Sequence, residues 1–210
     1  MAERSRTLAH PWVLAAGAGL AFLATWAVAA QRPIPAAEVD VNRLLNDAPA
    51  WVAHGLWPAM QLGTLWAPLV VALAIGLGRR DWMLAACLAV ADGFVWTTVH
   101  GLKDLAGRGR PPTFLPDVVV RDGTARGLGF PSGHSAMAAM TAVVCLAAVP
   151  RRFHWVLALL AAAVGIARVV HGVHFPADVV GGWAYGILVG VGTLAVYDRL
   201  AARRAIGAAH

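Results

Sequence analysis

Six long apolar runs, separated by shorter polar stretches, set the pattern of this chain. Each approaches the roughly 20 residues an α-helix needs to cross a bilayer. They predict membrane helices over about 11–30, 56–78, 82–102, 134–149, 155–171 and 176–197. The fifth is short, so it is expected to be buried among the others or to extend into its flanks. Residues 31–55 are more polar and include Pro33, Pro35, Glu38, Asp40, Arg43 and Asp47. Within them Val41, Leu44 and Leu45 predict a short interfacial helix against lipid headgroups. Trp12, Trp51, Trp57, Trp82 and Trp155 fall near predicted helix ends, where membrane-interface anchors sit.

Composition turns that pattern into a fold class. Of 210 residues, 59% are hydrophobic and 13% charged, against about 25% charged in a soluble domain. The expectation is an all-α integral membrane bundle of six transmembrane helices, forming one domain over residues 1–210. Cys87 and Cys145 lie inside apolar runs and read as small core residues, not as a disulfide framework or a metal site.

Charge adds an orientation. The net charge is +6, and Lys103 is the only Lys among the 17 basic residues. Arg4 and Arg6, Arg79 and Arg80, Arg151 and Arg152, and Arg199, Arg203 and Arg204 all fall on one side of a six-helix path. That side is expected to be cytoplasmic, with both termini. The opposite side also carries basic residues, but five of its eight crowd into the loop 103–133. Such crowding points to a site more than to topology, and so long a loop is often functional. The first helix has a rival reading as a signal peptide, with Ala27-Val28-Ala29 as its cleavage site. Its apolar stretch is longer than such peptides carry, which favours a retained helix.

On this path four segments reach one membrane face: "HGLKDLAGRGRPP", "PSGH", "ARVVHG" and "HFPAD". They bring Lys103, Arg108, Arg110, His134, Arg168, His171, His174 and Asp178 to one level. Ionisable groups in or near a membrane are functional candidates. Pro176 suits a first helical turn, and Asp178 in that turn is favoured by the helix dipole. Four residues separate His174 from Asp178, so the carboxylate can accept a ring N–H and fix the tautomer. Ser132 suits an N-cap, and Gly133 lets a ligand approach free backbone N–H groups. Two histidines, a carboxylate, Lys and Arg donors and a helix N-terminus together suit phosphoryl transfer.

The spacing also has a known parallel. Lys103 with Arg110-Pro111, then Pro131-Ser132-Gly133-His134, then Arg168 with His174 and Asp178, resembles the three-part motif of the type 2 phosphatidic acid phosphatase (PAP2) superfamily. That superfamily includes bacterial undecaprenyl pyrophosphate phosphatases, glucose-6-phosphatase and soluble vanadium haloperoxidases. The resemblance implies that His174 attacks phosphorus and forms a phosphohistidine. Asp178 would orient His174, and His134 would protonate the leaving oxygen and then activate water. Lys103, Arg110 and Arg168 would hold the phosphoryl oxygens, with Ser132 and Gly133 adding donors. It implies no metal and no cofactor. Ala167 departs from the pattern, which carries Ser before the Arg of the third part, and so puts one side-chain hydrogen bond in doubt.

Other readings are blander. His10, His54, His100 and His154 read as interfacial or packing residues. His171 reads as a pocket wall or as packing; "HGVH" lacks a third ligand and sits beside Arg168, against a metal. Arg108, Arg121 and Arg126 read as solvated loop charges, and Asp92 has no assigned partner. The expected enzyme is a membrane phosphatase with an extracytoplasmic site, acting on lipid phosphates and contacting membrane lipids, not nucleic acid. A polyprenyl diphosphate recycled in cell-wall synthesis is the favoured substrate. Phosphatidic acid or phosphatidylglycerol phosphate is the alternative. A lipid-linked phosphotransferase and a non-catalytic lipid-phosphate binder or transporter are the remaining rivals.

Overall fold

The structure is a computed structural model and describes residues 8, 10–123 and 125–207. Arg4 and Arg6, part of the orientation argument, lie outside the described residues. Among the described residues eight α-helices follow one another: α1 Pro11–Ala29, α2 Ala36–Asn46, α3 Ala50–Met60, α4 Trp66–Arg79, α5 Trp82–Ala106, α6 Gly133–Cys145, α7 His154–Val170 and α8 Pro176–Gly207. Among the described residues the only β pairing is an isolated bridge between Gly109 and Leu128.

Among the described residues four helical stretches are long and apolar enough to cross a bilayer: α1, α5, α7 with the turn before it, and α8. The predicted helix 56–78 is instead a pair, α3 and α4, bent by 64° at a break around residues 61–65. The break has a packing reason. A Cβ on Gly63 would lie 2.7 Å from the His134 carbonyl oxygen and 2.8 Å from the His134 Cβ, so the chain turns where α6 needs the room. The predicted helix 134–149 is also shorter, since α6 has 13 residues. At 1.5 Å per residue it is about 20 Å long, less than the roughly 30 Å hydrocarbon core. The six expected spans therefore become four full-length helices, one bent pair and a short α6 held inside the bundle.

Glycine spacing explains how α6 is held. Gly182, Gly186 and Gly190 recur every four residues on α8 and so form one stripe. A Cβ on Gly186 would collide with the carbonyl oxygen of Ala136, and one on Gly190 would lie 2.7 Å from the Cβ of Val143. Bare backbone lets the two helices approach closely, which replaces the hydrophobic drive that lipid does not supply. On its other side α8 supports α1, where the Phe22 ring lies 5.9 Å from both Tyr185 and Phe130. Away from the site, the Tyr197 hydroxyl donates to Asp81 Oδ2 at 2.6 Å, joining late α8 to the start of α5.

α2 is built inside out. Its polar residues Glu38, Asn42 and Asn46, spaced four apart, are all buried. Val41 and Leu44 are exposed, and Leu45 is half-buried. The buried stripe is polar because it faces backbone and charged groups of the loops around the site.

Candidate functional site

The C-terminal ends of α5 and α7 meet the N-terminal ends of α6 and α8 around a cavity of about 180 Å³. Lys103, Arg110, Gly133, His134, Arg168 and His174 line it, beside apolar Val95, Val99 and Met137. Three cationic side chains and two imidazoles thus share one small space.

Each arrives by a local device. α5 ends at Gly107, whose φ of +59° is left-handed, a conformation glycine adopts without penalty. This turn releases the chain into "RGRPP" one turn past Lys103. The Lys103 Nζ donates to the Leu128 and Gly129 carbonyls at 2.9 and 3.0 Å, so it also pins the returning loop. Arg110 Nη1 reaches the Val173 carbonyl at 3.4 Å. Arg168 Nη1 donates to Asp122 Oδ2 at 2.8 Å. The Nε groups of Arg110 and Arg168 are buried without a partner among the described residues. Buried donors left unpaired are costly, and the Nε of Arg108, outside the cavity lining, is in the same state.

Ser132 differs from its neighbours. Its Oγ accepts from the Ser135 N–H at 3.4 Å and pairs with the Ser135 hydroxyl at 3.0 Å. It is the N-cap of α6, fully buried, and the cavity wall beside it is Gly133.

His174 sits in the short turn between α7 and α8. Its Nδ1 is 3.4 Å from Asp178 Oδ2. The same oxygen accepts the Phe175 N–H at 2.9 Å, and Asn42 Nδ2 donates to the His174 carbonyl at 3.3 Å. A Cβ on Gly129 would lie 2.8 Å from Asp178 Oδ2, so only glycine fits behind that carboxylate. Burial, and then the charges of Lys103, Arg168, Arg110 and His134, hold the His174 imidazole well below its ordinary value of 6.5. A base lowered in this way stays neutral as the pH falls past 6.5 and takes a proton only in stronger acid. Histidine-labelled protein followed by NMR is expected to show the His174 signal, identified by its loss in His174→Gln, unprotonated at pH 6. A midpoint at or above 6.5 would contradict this environment.

Other residues fall differently from their sequence reading. Arg108 is a correction: it is not a solvated loop charge but fully buried. Its guanidinium pairs with Glu38 at 2.5 Å and Asp178 at 3.1 Å. Arg121 is a staple that donates to the carbonyls of Asn46, Val170 and Ala48, while Arg126 is exposed. His171 is buried and its Nδ1 donates to the Ala167 carbonyl at 2.7 Å, a packing role. His100 lines the cavity with its Nδ1 donating to the Trp96 carbonyl at 2.6 Å. Asp92 is buried and its Oδ1 has no partner among the described residues. No group of three potential metal ligands occurs among the described residues.

Glu38 was missed by the sequence reading. The available signal was the four-residue spacing of Glu38, Asn42 and Asn46, a polar stripe on a helix otherwise read for its apolar side.

Comparison with known proteins gives this arrangement a family. The profile of the PAP2 superfamily matches residues 82–201. The decaprenylphosphoryl-5-phosphoribose phosphatase of Mycobacterium tuberculosis is 32% identical over 72% of this chain and 84% of its own length. The undecaprenyl-diphosphatase of Sulfolobus acidocaldarius is 30% identical over 58% of each. Among solved structures, the PAP2 type phosphatidylglycerolphosphate phosphatase of Bacillus subtilis aligns with a TM-score of 0.76 at 24% identity, covering 88% of this chain and 96% of that one. Aquifex aeolicus LpxE aligns with a TM-score of 0.68 at 27% identity, covering 75% and 94%. The chain belongs to the PAP2 superfamily and is a multi-pass membrane enzyme of the phosphatase class.

Proposed function

We propose that this protein removes the terminal phosphoryl group from a polyprenyl-linked phosphate. The observation that carries the reading is the cavity itself, which Lys103, Arg110 and Arg168 line together with the imidazoles of His134 and His174. Polyprenyl tails are favoured because the Mycobacterium and Sulfolobus relatives are named for decaprenyl and undecaprenyl substrates. A terminal phosphoryl group is common to a polyprenyl diphosphate and a polyprenyl-linked sugar phosphate.

In this reading the His174 Nε2 lone pair forms a bond to phosphorus while the bond to the leaving oxygen breaks. His174 keeps its Nδ1 proton, directed at Asp178 Oδ2 at 3.4 Å. His134, protonated once the anionic substrate is bound beside it, gives its proton to the leaving oxygen, so the lipid departs neutral at that atom. Water then enters, His134 takes back a proton, and the new oxygen attacks phosphorus. The N–P bond breaks and inorganic phosphate leaves. Lys103, Arg110 and Arg168 hold the equatorial oxygens, Arg through forked donors and Lys as a compact charge. Gly133 opens the N-terminus of α6 to the same anion. Ser132 supports that wall through the α6 cap.

The site faces outward in this proposal. Arg79 and Arg80 lie just before Asp81, which the Tyr197 hydroxyl joins to the late part of α8 near Arg199, Arg203 and Arg204. Arg151 and Arg152 open the stretch that starts α7. These exposed arginines mark the end of the bundle away from His174, the cytoplasmic end under the positive-inside rule.

The test is phosphate release by purified protein in detergent with EDTA present. Undecaprenyl diphosphate, a decaprenyl-linked pentose phosphate, phosphatidic acid and phosphatidylglycerol phosphate are offered separately. Fastest release from the polyprenyl compounds is expected. Preference for either glycerolipid would overturn the tail assignment. Transfer to an added alcohol without any hydrolysis would make the protein a phosphotransferase.

A further inference from the structure

We infer that Glu38 and Arg108 form a positioning pair that holds Asp178 against His174, making α2 part of the turnover machinery. The inference rests on the proposed roles of His174 and Asp178. Arg108 is fully buried, and a buried guanidinium requires partners. Its Nη2 donates to Glu38 Oε2 at 2.5 Å, and its Nη1 is shared between Glu38 Oε1 at 3.2 Å and Asp178 Oδ1 at 3.1 Å. The guanidinium also lies over the Phe175 ring, 4.6 Å from its centroid. Phe175 is the residue after His174, so Arg108 braces both sides of the turn.

The oxygens of Asp178 are thereby divided. Oδ1 faces Arg108, and Oδ2 takes the Phe175 N–H and faces His174 Nδ1. Fixing one oxygen fixes the plane of the carboxylate and the aim of the other. Glu38 adds a second hold, because its Oε1 accepts the Ala177 N–H at 2.9 Å in the first turn of α8. One side chain therefore ties α2 to the helix that carries Asp178 and to the cation that orients it.

Charge makes the arrangement specific. One guanidinium faces two carboxylates, and Glu38 engages it through both oxygens. Arg108 is largely neutralised by Glu38, which leaves Asp178 able to support positive charge on His174 as the N–P bond forms. Buried ion pairs are weak sources of stability compared with apolar residues of the same volume, so this one calls for a role in geometry. Neither Glu38 nor Arg108 lines the cavity; both act through Asp178.

The test compares Glu38→Gln, Arg108→Lys and Arg108→Met with wild type for kcat, KM, melting in detergent and the NMR signal of His174 Nδ1. Glu38→Gln keeps the shape and removes the charge. Its kcat is expected to fall about tenfold or more with KM within about twofold, by analogy with partners that orient metal-bound side chains. Arg108→Lys is expected to keep more activity than Arg108→Met, and the Nδ1 signal is expected to move in Glu38→Gln. Unchanged kcat and an unchanged Nδ1 signal in folded Glu38→Gln would overturn the inference. A rise in KM matching the fall in kcat would also overturn it, by making these residues substrate contacts. If wild type turns over none of the offered lipids, the substrate reading fails, and the Nδ1 signal alone decides the positioning pair. If Arg108→Met does not fold, Glu38→Gln decides.

Discussion

His174→Ala is expected to release phosphate at least about a thousandfold more slowly than wild type, on the scale seen when a nucleophile is removed. The variant keeps Lys103, Arg110, Arg168 and His134, so its cavity retains the groups that attract an anion. Binding of a phosphate analogue held without a covalent bond, such as sulfate, should therefore persist while turnover is lost. That split separates an enzyme from a passive lipid-phosphate binder, for which His174 would matter no more than any other wall residue. Wild type quenched during turnover with radiolabelled substrate should carry a label that is stable in base and lost in acid, as expected for an N–P bond. Equal phosphate release by His174→Ala would sink the nucleophile assignment. Loss of analogue binding in the variant, matching the loss of turnover, would assign His174 to binding alone.

Gly186→Leu is expected to be the most damaging single change outside the cavity. A Cβ at that position already meets the Ala136 carbonyl oxygen, with the Ala136 carbonyl carbon 2.9 Å away and its Cα 3.0 Å away. Backbone cannot swing aside as a side chain can, so α6 must move off α8. Overpacking of this kind costs about 1–3 kcal/mol or more. In a chain of this size that lowers the melting temperature by roughly 2–12 °C. Activity should fall further than stability, because the displaced helix carries Gly133 and His134 at its start. Gly192→Leu is the matched control, since nothing lies within 4 Å of a Cβ there. Similar melting of the two variants would show that the close α6–α8 contact is not what holds the bundle.

Much of the site was legible because its residues sit beside signals of local structure. Pro176 and Asp178 announce a helix start, Ser132 a cap, and Lys103 the end of a long apolar run. Hydropathy located the helices but not the bend between α3 and α4, because the bend answers to His134, a residue of another helix. It also gave α6 too great a length. Arg108 was read as exposed because it stands in a loop rich in Gly, Pro and Arg. Its burial depends on Glu38, 70 residues earlier, and on Asp178, 70 residues later. No local pattern can report a pair at that separation. Ser132, by contrast, was legible locally: its residue type suggested an N-cap, and its Oγ accepts from the Ser135 N–H and hydroxyl.

The inside-out α2 bears on how this fold can be divided and recombined. The match to the superfamily begins at residue 82, so the recognisable module holds every motif residue yet omits Glu38, Asn42 and Asn46. A chimera that joins residues 82–201 of this chain to the N-terminal segment of a relative would look complete by motif. Unless the donor supplies a matching buried stripe, Arg108 would face Asp178 without a second carboxylate, and the His174 carbonyl would lose the Asn42 donor. Exchange boundaries are better placed before residue 36, so that α2 travels with the helices whose loops it closes.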